Sequence, residues 1–482
     1  MYVKNRLQLT PSNIKEESLS LRKIGLNSLE LALSSVEPKK LIQNTVNIVK
    51  NNFIIRNDTF DLNTFREILV IGGGKASAQM ALTIEELLKK YPKINYKGLI
   101  NIPNSLNIKS HSVSSKIRMN LASHPIPDES GFTGTKIMFN HIENTTKDDL
   151  IIFLLSGGGS ALLTMPDQNI TLANLQATNS LLLASGASIH EINTVRKHLS
   201  IFKGGNLAKK IYDSSKATVI TLIISDVVGN NLESIASGPT IPDMTTFRDA
   251  YDVLEKYHLT YKVPSSVKQL FERGMNDPTL NKPLDNPNYF KNVHNYIIGS
   301  VESSVNEISD YLKELDFAVD YFSKEIEGEA AIYGKELYNF IFHKLQHFVE
   351  NSKKQKVALI GTGELTVTIK GKGIGGRNQE MLLNFLNDVK DKNIDYNFLI
   401  IGVNLDGIEG NSKAMGALVD NVLLTQLIKN NLDFERYLNN NDSNSFFKIL
   451  NGEIITGATG INVNDLLFIL IDLNNNTNST KK

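Results

Sequence analysis

At 482 residues the chain is too long for one ordinary hydrophobic core, so two domains are expected. Hydrophobic residues make up 41% and charged residues 21%, and 51 basic against 51 acidic side chains leave no electrostatic footprint for nucleic acid or an anionic membrane. The absence of cysteine removes disulfide scaffolds, thiolate metal sites and cysteine nucleophiles. Met1–Thr10 lacks the apolar core of a signal peptide and no membrane-length apolar run occurs, so a cytoplasmic enzyme is the expectation.

From about residue 12 to 90 the pattern reads helix, helix, strand, helix. Leu26, Leu29, Leu33 and Val36 recur at helical spacing, and Pro38 opens a second helix carrying Leu41, Val46 and Val49. Ile68–Ile71 is an apolar strand running into Gly72-Gly73-Gly74-Lys75, and Ser77–Leu88 is an amphipathic helix. A strand around Gly98–Ile102 and the loop Ser123-His124-Pro125-Ile126-Pro127-Asp128 follow. Strands recur at 150–155, 218–224 and 296–298, separated mostly by helical patterns. This alternation predicts an α/β domain with a largely parallel sheet and ligands at the carboxyl ends of its strands.

The stretch 263–292 is dense in Pro, Asn and Asp and is taken as the boundary, giving domains over 12–265 and 290–474 and a polar tail over 475–482. In the second half the patterns predict a helix near Val301–Leu315 and a strand at Val357–Ile360. Glu364–Lys370 alternates, with Leu365, Val367 and Ile369 on one face, and predicts a half-exposed strand. A helix over Asn378–Leu386 and strands at Phe398–Val403 and Leu466–Ile471 complete a smaller mixed domain.

Several strands empty into loops suited to anions. Gly73, Gly74 and Lys75 stand between a strand and a helix, although Leu69 and Ala76 rule out a Walker A motif. Ser156-Gly157-Gly158-Gly159-Ser160 repeats the device before the helical pattern Ala161-Leu162-Leu163, adding two hydroxyls to the backbone donors. His190 and His198 are eight residues apart, too far for one metal ion, while Arg196 could face an anionic ligand. Asp226, at a strand tip, could hold Mg²⁺ or orient a hydroxyl; capping the next helix is its plainer role. Gly371, Gly373 and Gly376 match the dinucleotide pattern GxGxxG, with Asp406 as a candidate ribose acid, yet Lys372 and Arg377 suit phosphate equally well.

In this order the segments resemble the class II glycerate kinases, whose C-terminal domain is called MOFRL. The resemblance is carried by Gly74-Lys75-Ala76, His124–Asp128, Ser156–Leu163, Ile189–Ala208, Ser225-Asp226-Val227, Ile235–Asp243, Thr366–Glu380, Asp406-Gly407 and Thr456–Asp465. It implies two α/β domains, a larger Rossmann-like one and a smaller MOFRL-type one, with the active site in the cleft between them. It implies ATP-dependent phosphorylation of D-glycerate, usually on the 2-hydroxyl, with Mg²⁺. The family's catalytic lysine and arginine fall on Lys75 and Arg377. Asp226 is carried as the third catalytic group and metal ligand. Gly73, Gly74, Ser156–Ser160, Arg196, Lys203, Glu364, Gly375, Gly376, Asn378 and Asp406 are carried as the ATP- and substrate-binding set.

The chain departs from the family pattern at Leu365, Leu405, Lys413, Val301 and Asn230. Two other readings stand beside the kinase: an NAD(P)H-dependent hydroxypyruvate reductase, supported by the 371–376 pattern, and a nucleotide-binding homologue without turnover. A homodimer is a base-rate expectation.

Overall fold

The computed structural model describes residues 1–106, 115–351, 354–430, 432–461 and 463–474, of 349–351 and 428 the backbone alone. The expected tail over 475–482 and Asn462 of the Thr456–Asp465 motif lie outside the described residues. Among the described residues no helix is long and apolar enough to cross a membrane.

The chain folds into two compact units: Pro38–Gly299, and Met1–Glu37 together with the chain from Ser300 onward. In the first unit six strands, all parallel, form one sheet: β1 (Glu67–Gly73), β2 (Asn95–Pro103), β3 (Ile117–Ala122), β4 (Leu150–Ser156), β5 (Thr218–Ile224) and β6 (Val293–Gly299). Their order is β3-β2-β1-β4-β5-β6, that of the doubly wound dinucleotide-binding fold. β4 is buried along its whole length, so an uninterrupted apolar run, not an alternating one, is what its position between two layers requires. The order reverses between β1 and β4, which leaves a crevice at their carboxyl ends.

The Pro- and Asn-rich stretch expected as a boundary lies inside this unit. Val267, Leu270 and Phe271 of helix Ser265–Asn276 enter a separate apolar core with Leu182, Ile192 and Val195. The edge strand β6, expected to open the second half, pairs with β5 instead. Val46 and Val49 are not helical: helix Pro38–Thr45 stops, and strands Val46–Val49, Asn52–Ile55 and Asp58–Asp61 make a small antiparallel sheet. Two-residue turns join these strands, with Lys50 and Arg56 at positive φ, and β-branched residues three apart read equally as helix or strand.

The second unit carries β7 (Ala318–Ile326), β8 (Lys356–Gly363), β9 (Asn397–Asn404), β10 (Gly416–Asp420), β11 (Glu453–Ile454) and β12 (Asp465–Asp472), in the order β7-β8-β12-β9-β10-β11. Only β7 and β8 are parallel. Helix Glu16–Ser35 belongs here: a Cβ on Gly25 would lie 2.4 Å from Leu399, and Arg22 makes a buried two-pronged bond to Asp420 at 2.7 and 2.9 Å. The expected strand over 364–370 does not form. Thr366 makes a single bridge with Glu329, and Ile369 is 80% exposed, so the alternation there marks no buried face. Of the departures from the family pattern, Leu365, Leu405 and Val301 are buried in packing, while Lys413 is exposed.

Candidate active site

In the first unit the switch point is occupied by the two glycine loops. Gly74 has φ +146°, and a Cβ there would fall 2.1 Å from the Ser156 hydroxyl oxygen, so only glycine lets β1 and β4 end side by side. The loops are tied together: Lys75 N–H donates to the Gly157 carbonyl at 2.9 Å, and Ala76 N–H donates to the Ser156 hydroxyl at 3.0 Å. Ser156 is therefore fully buried and spends its hydroxyl inside the protein, and Gly73 packs against Leu163. The helix that follows is a single turn, Gly159–Leu162, shorter than the sequence suggests, so any anion here relies on individual N–H groups instead of a long helix dipole.

Gly158 sits at φ +82° and marks where three groups converge. A Cβ on it would lie 2.9 Å from the His124 ring and 3.4 Å from the Lys75 side chain. Burial, then the Lys75 charge, pulls the His124 imidazole down to about 4, so it is neutral at physiological pH. His124 was legible only as part of a motif; its role beside Lys75 needs the fold. Ser160 is half-buried, its hydroxyl 3.3 Å from that of Ser237, which donates to Asn193 at 3.1 Å. Ala236 and Ser237 hold φ of +47° and +61°, a backbone cost that non-glycine residues carry mostly near working sites.

Arg196 and Lys203 come to the same place from another element. Helix Ile189–His198 starts with a capping box, Ser188 and Glu191, and buries Ile192 and Val195, which fixes the direction of Arg196 in its last turn. Arg196 donates to Asn179 at 3.0 Å, and Lys203, only 6% exposed, donates to the Leu163 carbonyl at 2.9 Å. With Gly158, Ser160 and His124 they line a cavity of about 340 Å³. Burial, then the Arg196 charge, pulls Lys203 down to about 7, and burial also lowers Arg196. Asp226 is half-buried, two residues past the end of β5, which runs beside β4 with Ile224 opposite Ser156. It stands on the same edge of the sheet as both loops.

In the second unit Arg377 opens helix Arg377–Val389 and grips Asp465 with two hydrogen bonds, of 2.5 and 2.8 Å, and Glu364 with a third of 2.6 Å. Burial opposes the Arg377 charge, but Asp465 outweighs it and its pKa is raised. Burial lifts Asp465 to about 6 against the pull of Arg377, and burial with the Asp465 charge lifts Glu409 to about 7. Asn378 is buried and bonds both Glu409 and Asp465. Asp406 lies in the turn after β9, where its N–H bonds Asn404 and its carbonyl accepts from Thr459.

The loop 371–376 does not behave as a dinucleotide cradle. Gly371 N–H bonds Asn441, Lys372 N–H bonds Asn440, Gly373 N–H bonds the Asn440 carbonyl, Ile374 N–H bonds Asp442 and Gly375 N–H bonds Asn411. The helix N-terminus beyond it is filled by Glu409, which accepts from the N–H groups of Asn378 and Gln379 at 3.1 and 2.9 Å. Gly375 and Gly376 are packed against Ser443 and Glu409. A pyrophosphate would find these donors taken, and the mainly antiparallel sheet is not the fold that the pattern needs.

A parallel sheet of this order with two glycine loops at its switch point, one of them carrying Lys75, defines a doubly wound α/β protein with its candidate site at that crevice. Comparison with known proteins makes this specific. Residues 26–272 match a domain of unknown function, DUF4147, and residues 357–465 match the MOFRL family. The chain is 36% identical over 463 residues to the glycerate 2-kinase of Pyrococcus horikoshii, covering 94% of this chain and 98% of that protein. It is 34% identical to the D-glycerate 2-kinase of Thermotoga maritima over 454 residues, covering 94% and 99%. The crystal structure of a Thermotoga maritima glycerate kinase superposes with a TM-score of 0.78 at 34% identity, covering 94% of this chain and 99% of that one. The chain belongs to the class II glycerate kinase family.

Proposed function

We propose that the protein transfers the γ-phosphoryl group of ATP to D-glycerate, on the 2-hydroxyl, releasing 2-phosphoglycerate and ADP. The observation that carries this reading is the switch point itself, where Gly158, beside the Lys75 side chain, and Ser160 border a cavity lined also by Arg196 and Lys203. A loose phosphoryl-transfer transition state spreads negative charge over its equatorial oxygens, so positioning and cationic stabilisation do most of the catalysis. Lys75 and Arg377 are assigned to that charge. Gly158, Gly159 and Ser160, with Arg196 and Lys203, are assigned to anionic groups of the substrates. Asp226 is assigned to the acceptor side, orienting the attacking hydroxyl or holding magnesium, and Glu364 and Asp406 to positioning in the second unit. Gly73, Gly74, Ser156, Gly157, Gly375, Gly376 and Asn378 support these groups by packing and internal hydrogen bonds.

Among the described residues no three His, Cys, Asp or Glu side chains are arranged to hold a metal. Magnesium is assigned to the nucleotide phosphates, to be met by one or two carboxylates of the protein, with Asp226 as the candidate. Bound there, the ion would neutralise phosphate charge. A cytoplasmic location and small-molecule substrates are part of the proposal, and a homodimer is added on base rates alone; fractionation and sedimentation test location and assembly.

Phosphorus NMR of the purified protein with ATP, Mg²⁺ and D-glycerate tests the reaction. A 2-phosphoglycerate resonance growing with ADP is expected. A 3-phosphoglycerate resonance would move the acceptor oxygen, and ATP left intact would sink the reading.

A further inference from the structure

The cavity beside Gly158 has a charge problem. Arg196 and Lys203 share its wall, and among the described residues neither meets a carboxylate: Arg196 bonds the Asn179 side chain and Lys203 a backbone carbonyl. A buried Lys203 beside a half-buried Arg196, with no acid to balance them, destabilises the empty protein, and such pairs persist where a ligand supplies the missing negative charge. Burial and the neighbouring cation lower the Lys203 pKa, as expected for a site awaiting an anion.

The shape of the cavity says which anion. Its volume of about 340 Å³ falls in the range of pockets that hold drug-sized ligands, whereas glycerate has seven heavy atoms. Away from the cations Ile126, Met165, Leu175 and Leu183 give the wall an apolar stretch, interrupted by Gln176 and Ser180. A small hydrophilic acid would leave that surface unused; a flat base would cover it. Two adjacent cations also match a phosphate bearing close to two charges better than a single carboxylate.

We propose that this cavity is the nucleotide site, with Arg196 and Lys203 holding the polyphosphate beside Ser160 and the base lying against Ile126, Leu175 and Leu183, an assignment that rests on the kinase reading. The acceptor then binds elsewhere around Lys75, and nucleotide specificity is set by the segments 124–127 and 172–184.

Calorimetric titration of the full chain with ADP, inorganic triphosphate and D-glycerate separates the possibilities. Arg196→Gln and Lys203→Met are each expected to weaken ADP and triphosphate binding about 30-fold or more, the cost of removing one partner of a desolvated charge contact, while D-glycerate affinity holds. Leu183 is 63% exposed at the rim, so Leu183→Ser leaves the fold intact and should weaken ADP more than triphosphate. Arg196→Gln removes one of two like charges, so the ligand-free melting temperature should stay level or rise, which guards against misfolding as the cause. Loss of D-glycerate affinity with ADP binding preserved would overturn the assignment in favour of an acceptor carboxylate site. Unchanged binding of every ligand, in variants of an enzyme that still turns over ATP, would overturn it while leaving the kinase reading intact. A wild-type protein that neither binds nor turns over nucleotide would remove both.

Discussion

Each unit carries a glycine loop ahead of a helix, and the two loops have opposite fates. At 156–160 the glycines let two parallel strands end side by side, and Gly158 and Ser160 are left bordering an open cavity. At 371–376 the glycines let side chains from 411 and 440–443 approach the backbone, and the N–H groups from Gly371 to Gly375 are consumed there. Glycine spacing alone thus marks close approach, and the partner that approaches decides whether the loop binds a ligand or packs. The cations divide in the same way. In the first unit Arg196 and Lys203 meet no acid among the described residues, whereas in the second Arg377 is held between Asp465 and Glu364.

The largest expected effects break this contrast at the two assigned cations. Lys75→Ala should lower kcat about 10³-fold or more, since losing a transition-state cation in phosphoryl transfer costs that much. Arg377→Ala should lose comparable turnover and also unfold more easily, by about 2–4 kcal/mol, because it leaves Asp465 buried without its partner. A coupled ADP assay alongside thermal melts separates the two outcomes. Near-normal turnover of Lys75→Ala would remove the catalytic assignment.

The glycines themselves give the next test. Gly376→Ala places a methyl 2.4 Å from the Glu409 side chain and should cost about 1–3 kcal/mol of stability, with the KM for ATP unchanged in the folded fraction. Gly158→Ala meets the His124 ring at 2.9 Å from a left-handed backbone position, at a cost of about 1–2 kcal/mol, and should raise the KM for ATP. Denaturant melts and steady-state kinetics on the two variants should show this crossed pattern. Equal KM effects would erase the distinction between the loops.

Sequence periodicity carried the long elements well, because β4, β5 and the helices at 77–89 and 377–389 each bury enough surface to impose an unambiguous pattern. It also brought out Lys75, Asp226 and the Ser156 loop, since a strand emptying into glycines is a local signal. What it could not carry was partnership across distance. Nothing near Gly371 announces that Asn440 and Asn441 will take its loop's donors, and nothing near Lys203 announces that it will share a cavity wall with Arg196. The placement of Glu16–Ser35 in the second unit is of the same kind, resting on Arg22 meeting Asp420 398 residues later.

Titration sharpens the comparison further. His124 in the first unit is held down near 4 by burial and Lys75, below its ordinary 6.5, so its contribution to stability is present above pH 6.5 and lost as pH falls toward 4. Glu409 in the second unit is lifted to about 7 from 4.5, mainly by burial, so its contribution is present below pH 4.5 and lost as pH rises through 7. Acidification from pH 7.5 to 5 should therefore loosen the segment around 156–163 while tightening helix Arg377–Val389. Hydrogen exchange, corrected for intrinsic rates, reads both segments in one sample. Parallel changes in the two would show that the titrating groups lie elsewhere.

The smallest effect tests the segment that joins β8 to the packed loop. A half-buried strand over 364–370 would hide Leu365, Val367 and Ile369 together, and charging any of them would cost more than 1 kcal/mol. The fold instead buries Leu365 and leaves Ile369 at 80% exposure. Ile369→Lys should then change stability by less than about 0.5 kcal/mol, whereas Leu365→Lys should cost several times that by replacing a buried apolar side chain with a longer charged one. Urea midpoints of the pair decide it, since a strand predicts similar losses at both positions and the bridged loop predicts a loss at Leu365 alone.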